Sequence, residues 1–179
     1  MCKAWRTLAV IVCLAMASPA YVRANTPAAD VLQSQPDEFR VQGQGRMRWF
    51  GLLLYEASLW VAGSQWQWER PFALDIRYAR DFAGERLADT SVSEMQRIGW
   101  RDPARLEAWR EEMRRAFPDV RKGSHLTGLY RPGSGVEFYH DGRLTASVRD
   151  PEFARAFFSI WLDPRTREPA LRAALLGAR

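Results

Sequence analysis

FARAFFSIWLDPRTREPALRAALLG, residues 153–177, encodes two helices in succession. The first helix has a strong start signal, because Asp150 can accept hydrogen bonds from free backbone N–H groups and a proline follows at the first helical position. Its apolar residues recur three or four positions apart and form one face: Phe153, Phe157, Ile160 and Trp161. An apolar helix face must pack against another layer, so this stretch predicts a helix lying on a larger structure.

The second helix of the stretch follows a break at Pro164. Thr166 is placed to cap it, and Leu171 and Leu175 give it an apolar side. Gly177 is placed to end it, since glycine readily adopts the left-handed conformation found after many helices. This stretch therefore predicts two successive helices at the C-terminal end of the sequence.

The N-terminus has the pattern of a removable secretory signal. Lys3 and Arg6 precede an apolar run over residues 8–17, and the small-residue sequence at 22–24 suits cleavage. The run is shorter than the about 20 residues that a membrane-spanning helix needs. We therefore predict a signal peptide over residues 1–24, a periplasmic location, and no integral membrane segment after signal removal.

Composition excludes several classes of function. Cys2 and Cys13 lie inside the predicted signal, which predicts a mature chain without disulfides or thiol chemistry. The net charge of +5 falls on cleavage, since 23 basic residues then face 21 acidic ones, and these are interleaved rather than clustered. This distribution argues against a nucleic-acid partner. The two histidines occur without a metal-binding spacing, and no phosphate loop or dinucleotide fingerprint is present, so we predict no metal and no cofactor.

The rest of the sequence predicts one α+β domain preceded by a short leader. Residues 25–37 are rich in Ala, Pro, Gln and Ser and predict an irregular leader, while residues 38–179 predict a single domain. Residues 39–61 predict long strands forming a hairpin or a bent strand, with a turn or bulge near Gly43 and Gly45. Further strands are predicted over 72–80, 125–130, 136–140 and 144–148, and helices over 85–98 and 103–117. This order predicts an antiparallel sheet packed against a layer of helices.

Four strings, in this order, resemble the bacterial chalcone isomerase-like family of secreted proteins. They are LLYEASLW at 53–60, IRYARDF at 76–82, VEFY at 136–139 before an Asp-Gly turn, and FFSIWLDP at 157–164. The resemblance covers nearly the whole mature chain. It implies an open-faced β-sandwich in which the sheet and the helical layer enclose a cleft for a flat or elongated apolar ligand.

The resemblance does not transfer the catalytic chemistry, because fold and function separate readily. The plant enzymes of this resemblance close a ring on an enone with an arginine, a strand threonine, a helical tyrosine and an asparagine seven residues later. Here Phe50 is followed by Gly51 where that threonine is expected. No tyrosine lies between Tyr78 and Tyr130, and the only asparagine is Asn25. We assign no catalytic residue, and whether the chain is an enzyme stays open.

These observations favour a non-catalytic binder of a lipophilic small molecule with an anionic head, such as a fatty acid. An arginine can hold a carboxylate by two parallel hydrogen bonds, and a tyrosine hydroxyl can support it. The candidate ligand-binding residues, chosen near predicted strand ends, are Arg46, Arg48, Tyr55, Arg77, Tyr78 and Arg80. Two alternatives remain: an intramolecular lyase or isomerase acting on an unsaturated carbonyl, and a structural or partner-binding module whose cleft is filled by its own side chains.

Overall fold

The computed structural model describes residues 26–178. The predicted signal peptide lies outside these residues and stays a prediction. In chain order the elements are α1 (Pro27–Gln33), β1 (Phe39–Trp49), β2 (Leu52–Ala62), β3 (Phe72–Tyr78), α2 (Gly84–Ile98), α3 (Pro103–Ala116), β4 (His125–Arg131), β5 (Gly135–His140), β6 (Arg143–Val148), α4 (Pro151–Leu162) and α5 (Pro169–Leu175).

The strands form one six-stranded sheet, and each strand pairs antiparallel with its neighbour in the chain. Side chains of successive strand residues point to opposite faces, so the sheet has a helix-facing side and an outer side. On the helix-facing side, Leu59, Leu74, Gly128 and Phe138 form one cross-strand row. The predicted α+β fold, with an antiparallel sheet against a layer of helices, is confirmed.

Helix α4 packs its aromatic face onto the helix-facing side of the sheet. The Phe158 ring lies 4.9 Å from that of Phe72 and 5.7 Å from that of Tyr130, measured between centroids. Gly128 leaves the space that this ring occupies, since a Cβ added there would lie 3.0 Å from the Phe158 ring. The aromatic face predicted for residues 153–161 therefore joins the helical layer to the sheet.

Asp150 caps α4 as the sequence predicts, and it also reaches a second helix. Its Oδ1 accepts hydrogen bonds from the backbone N–H groups of Glu152 and Phe153 at 2.9 and 3.0 Å. Its Oδ2 accepts one from the indole Nε1 of Trp109 on α3 at 2.9 Å. One carboxylate thus accepts hydrogen bonds from the free backbone N–H groups at the start of α4 and also holds α3 beside this helix.

Helix α5 differs from the prediction at its start. Its N-cap residue is Glu168, whereas the Thr166 hydroxyl donates to the carbonyl of Ile160 at 2.7 Å and so stabilises the end of α4. The helix then crosses β1 at Gly43, where an added Cβ would lie 2.2 Å from the carbonyl oxygen of Ala174. Gly43, predicted to mark a turn or bulge, therefore lies at a bulge in β1 between Val41 and Gly43. Because it has no side chain, the backbone of α5 can lie directly against β1 at this position.

A short helix occupies part of the segment predicted as an irregular leader. Thr26 caps α1 by accepting a hydrogen bond from the N–H of Ala29 at 3.3 Å, and a proline starts the helix. Leu32 of this helix packs against Ala73 and Leu129 on the outer side of the sheet. The helix has seven residues, too few to show a clear periodicity, and its stability comes from this tertiary contact.

Replacing Asp150 by alanine is expected to lower the free energy of unfolding by about 2–3 kcal/mol, because it removes the cap of α4 and leaves the buried Trp109 donor unpaired. Asp150→Ser is the matched variant, since serine can still cap the helix but is too short to serve Trp109. It should cost about 1–2 kcal/mol. Urea unfolding of the three proteins measures both steps, and equal losses for the two variants would contradict the double role.

Candidate functional site

Two tyrosines place hydroxyl groups in the apolar layer between sheet and helices. Tyr55 of β2 and Tyr78 of β3 are direct cross-strand partners on the helix-facing side, with ring centroids 6.2 Å apart. The indole Nε1 of Trp161 on α4 donates to the Tyr55 hydroxyl at 3.0 Å. Within residues 26–178 no side chain serves the Tyr78 hydroxyl in the same way. We call Tyr55 and Tyr78 the tyrosine pair.

Burial governs the protonation of the tyrosine pair. It raises the pKa of Tyr55 from 10.0 to about 12, against the smaller lowering effect of the hydrogen bond from Trp161. Burial also raises the pKa of Tyr78, and the neighbouring Tyr55 adds to this shift. Both side chains are neutral at physiological pH. They can donate and accept hydrogen bonds, but neither has the pKa near 7 that an efficient general base requires.

Two of the four candidate arginines lie on the outer side of the sheet, away from the tyrosine pair. Arg46 of β1 and Arg77 of β3 both pair with Glu56 of β2, at 2.9 and 3.4 Å. Arg77 and Tyr78 are consecutive in one strand, so their side chains point to opposite faces. The structure therefore groups the two arginines with each other and separates them from the tyrosines.

The other two candidate arginines lie at the ends of strands. Arg48 donates from its guanidinium to the carbonyl of Gly51 at 3.0 Å, at the β1–β2 turn. Arg80 is exposed just beyond β3, next to Ala79, whose N–H donates to the carbonyl of Leu54 at 2.9 Å. The six candidate residues thus form no single cluster, and their role in ligand binding stays a prediction.

Aromatic rings fill the space under α4 where the resemblance implies a cleft. Phe138 of β5 lies 5.0 to 5.1 Å from Phe117 and Phe157, and Phe157 lies 5.3 Å from Trp161. Phe153 adds a stacked contact to Phe157 at 6.0 Å. A ligand chain could enter this part of the layer only by moving side chains.

Open grooves lie on the helical side, on either side of the turn between α2 and α3. The larger, of about 320 Å³, is lined by Ile98, Gly99, Trp100, Arg155, Ser159, Asp163 and Arg165. The smaller, of about 210 Å³, is lined by Gly99, Trp100, Arg101, Asp102, Arg105, Leu106, Trp109 and Glu152. The larger volume is at the lower end of the range for small-molecule sites.

Two cations border the larger groove, and sequence analysis did not single them out. Arg165 is held by two hydrogen bonds to the Asp163 carboxylate, at 2.9 and 2.8 Å. Arg155 lies over the ring of Trp68, 4.7 Å from its centroid, in a cation–π contact. The four-residue spacing of Arg155 and Ser159 on α4, followed by Asp163 at its C-cap, was a usable signal, because residues four apart share one helix face.

The outer side of the sheet carries a buried polar cluster. The Asp75 carboxylate accepts a hydrogen bond from the Thr127 hydroxyl at 2.8 Å, and its second oxygen lies 2.9 Å from His125 Nδ1. On the neighbouring strand, the Ser58 hydroxyl receives a hydrogen bond from Gln44 at 3.1 Å. Each oxygen of Asp75 thus has a partner, which is the condition for a stable buried carboxylate.

Among residues 26–178, no group of three or more His, Cys, Asp or Glu side chains is placed to hold a metal ion. The Nε2 atom of His140 lies 3.5 Å from the Oδ2 atom of Asp141, the next residue in the β5–β6 turn. None of the helices in the same range combines the length and apolar composition needed to cross a membrane.

The fold is that of a chalcone isomerase-like domain. A family model described as chalcone isomerase-like matches residues 22–177. The chain belongs to this family, which confirms the resemblance carried by the four strings. A search of curated proteins finds no match.

A solved structure shares the fold. The crystal structure of a fatty-acid binding protein from Arabidopsis thaliana matches with a TM-score of 0.55 and 14% sequence identity, covering 81% of this chain and 92% of that chain. At this identity the match shows a common fold. What the plant protein binds is a property of that protein.

The tyrosine pair predicts a loss of stability in strong alkali. Above pH 10 an unfolded chain loses the Tyr55 proton, whereas the folded protein keeps it up to about pH 12. The stabilisation is therefore complete below pH 10 and falls as pH rises, by at most about 1.4 kcal/mol per pH unit for this side chain. Tyr55→Phe should make the fall less steep by a similar amount. Urea unfolding at a series of pH values tests this, and an unchanged slope would contradict it.

Proposed function

We propose that this protein is a non-catalytic binder of a lipophilic small molecule with an acidic head, of the fatty-acid type. The observation that carries the proposal is the tyrosine pair, which places two neutral hydroxyls in an apolar layer. Hydroxyl donors of this kind orient a carboxylate or carbonyl oxygen while the surrounding side chains take the apolar body. The shared fold of the plant fatty-acid binding protein supports the same assignment.

The charged groups that act on Tyr55 are the carboxylates of Glu168 and Glu94, and Glu94 is itself paired with two arginines. Arg97 and Arg167 both pair with Glu94, at 2.8 and 3.0 Å. Glu168 and, to a smaller degree, Glu94 are close enough to Tyr55 to raise its pKa further. An incoming carboxylate at Tyr55 would compete with Glu94 for these two guanidinium groups, which gives the head a charged partner without burying an unpaired ion.

The route for the apolar body passes under α5 in this proposal. The helix has seven residues, and its N-cap residue Glu168 makes no side-chain hydrogen bond to it. It rests on β1 at Gly43 and Gly45, where its backbone and the Leu171 side chain fill the space that larger side chains on β1 would take. With seven residues this helix is shorter than the twelve-residue α4, whose rings fill the centre of the layer.

The neutrality of the tyrosine pair supports binding over catalysis. Both hydroxyls hold their protons at physiological pH, so they stabilise a bound oxygen rather than remove a proton from a substrate. An isomerase function would require a cation that contacts the same substrate oxygen, and Arg46 and Arg77 lie on the other side of the sheet.

We propose that the protein binds its ligand in the periplasm, because residues 1–24 have the pattern of a secretory signal. Cell fractionation tests this location.

One observation favours a second candidate function. The aromatic rings under α4 fill the centre of the layer with the chain's own side chains, which is the feature expected of a structural or partner-binding module. A protein of this kind would take up no lipophilic acid under conditions in which the fold is intact. The same binding experiment therefore separates the two candidates.

Removing either hydroxyl of the tyrosine pair is expected to weaken binding of a long-chain fatty acid by about threefold to tenfold, the value of one hydrogen bond. Tyr55→Phe and Tyr78→Phe keep the rings and their packing. Tyr139→Phe is the matched control, because the Tyr139 hydroxyl bonds to Glu137 on the outer side of the sheet, at 3.0 Å. Its affinity should equal that of the parent. Titration calorimetry with a series of chain lengths measures all four proteins.

The same titration locates the head group. If Arg46→Gln and Arg77→Gln weaken binding while the tyrosine variants do not, the head lies on the outer side of the sheet and the tyrosine assignment is wrong. If no fatty acid or other lipophilic acid binds to the folded parent protein, the binding function itself is contradicted.

A further inference from the structure

The β1–β2 hairpin ends in an apolar tip that the fold does not need. Trp49 pairs with Leu52, which leaves Phe50 and Gly51 as a two-residue turn. The Phe50 side chain is 92% exposed, and Trp49 and Leu52 are 49% and 55% exposed. Three large apolar side chains are thus presented to solvent at one end of the sheet. We call residues 49–52 the hairpin tip.

The backbone of the hairpin tip disfavours the residue that occupies it. Phe50 and Gly51 have φ angles of +46° and +79°, the conformation of a tight hairpin turn with both central residues left-handed. Asn, Asp or Gly adopt the first of these positions readily, whereas a bulky aromatic residue there is strained. Neither burial nor backbone preference therefore accounts for a phenylalanine at this place.

A second turn in the same protein shows what the fold alone would select. His140 pairs with Arg143 across the β5–β6 turn, and Asp141 and Gly142 have φ angles of +47° and +81°. The two turns have nearly the same backbone conformation. One carries the favoured Asp-Gly sequence and the other carries Phe-Gly, so the phenylalanine is an addition with a structural cost. Such strain, where nothing in the fold requires it, marks a functional segment.

Basic side chains surround the base of the hairpin tip. Arg48 donates to the carbonyl of Gly51 within the turn itself, at 3.0 Å. Arg80 follows β3 one residue after Ala79, which is hydrogen-bonded to Leu54 of the tip's own strand. Arg46 and Arg77 lie further along the same strands and share the single carboxylate of Glu56. Asp81 follows Arg80 in the chain, so the four arginines named here outnumber the two carboxylates named with them.

We propose that the hairpin tip is a docking element for the surface of an anionic lipid bilayer. Aromatic and aliphatic side chains at a protruding turn can enter the boundary between head groups and acyl chains, and tryptophan favours this boundary. The arginines at the base then lie at the level of the lipid phosphates. Three side chains are too few for a stable protein interface, which buries about 800 Å² on each partner. The tip matches the depth and charge of a membrane surface better than it matches a protein.

Phe50→Asn separates docking from folding, because asparagine suits the turn. The variant should unfold at a temperature about 2–4 °C higher than the parent, since the strain of the turn is relieved. Its partition onto vesicles of mixed phosphatidylcholine and phosphatidylglycerol should fall by about tenfold, since the most exposed apolar side chain is lost. Co-sedimentation with the vesicles measures the partition of the full mature chain.

Two further variants test the specificity of the effect. Leu144→Asn removes another exposed apolar side chain, 56% exposed and located beside the β5–β6 turn, and should leave the partition unchanged. Arg80→Gln should lower the partition onto the mixed vesicles by about fivefold and leave the weaker partition onto phosphatidylcholine alone unaffected.

The proposal does not depend on the ligand and fails separately from the proposed function. It is overturned if the parent protein binds neither kind of vesicle, or if Phe50→Asn binds as well as the parent. An equal loss in Leu144→Asn would also overturn it, because the effect would then be one of general hydrophobicity. Self-association of the parent that is lost in Phe50→Asn, without vesicle binding, would assign the tip to a protein partner instead.

Discussion

The packing of one aromatic helix face onto one side of the sheet is the contact on which the rest of the structure depends. The ring of Phe158 occupies the space left by Gly128 and lies against Phe72 and Tyr130. Each ring buried in this way contributes about 1.5–3 kcal/mol, and the rings contact one another in edge-to-face pairs that add to this. Asp150 then fixes the start of the helix and the position of α3 with one carboxylate.

This packing also limits where a ligand can bind. The centre of the layer is filled, so a binding function has to use its edge, where the tyrosine pair lies under Trp161 and where the short helix α5 is the cover. The outer side of the sheet has a different character. It carries the paired charges of Arg46, Glu56 and Arg77 and the buried cluster around Asp75, and part of it is covered by α1. The two sides of the sheet therefore differ in polarity and in what covers them.

Most of the fold could be predicted from the sequence, because its signals are local. The cap at Asp150, the Asp-Gly turn and the apolar face of α4 each depend on residues a few positions apart, and the structure confirms them. The role of Gly43 could not be predicted, since α5 is distant in sequence and meets it only in the folded chain. The helix α1 was not predicted because it is too short for a periodic pattern, although Thr26 and Pro27 gave a start signal.

The candidate site is less predictable from the sequence than the fold is. One separation among the candidate residues does, however, follow from the sequence alone. Arg77 and Tyr78 are consecutive in a strand, so period-two alternation already excludes both from facing one pocket. The same argument separates Tyr55 from Glu56. The tyrosines could be selected by residue type and position, whereas Trp161 as the donor to Tyr55 depends on how α4 lies over the sheet, which no local pattern reveals.

The central proposal is that the protein binds a lipophilic acid. Native mass spectrometry of the mature protein, purified from the cells that produce it, tests this proposal most directly. Organic extraction of the same sample identifies what is bound. The account predicts a stoichiometric fatty or aromatic acid in the extract and a matching mass difference in the native spectrum. A mass equal to that of the chain alone, with no uptake from a panel of lipids and flavonoids, would contradict it.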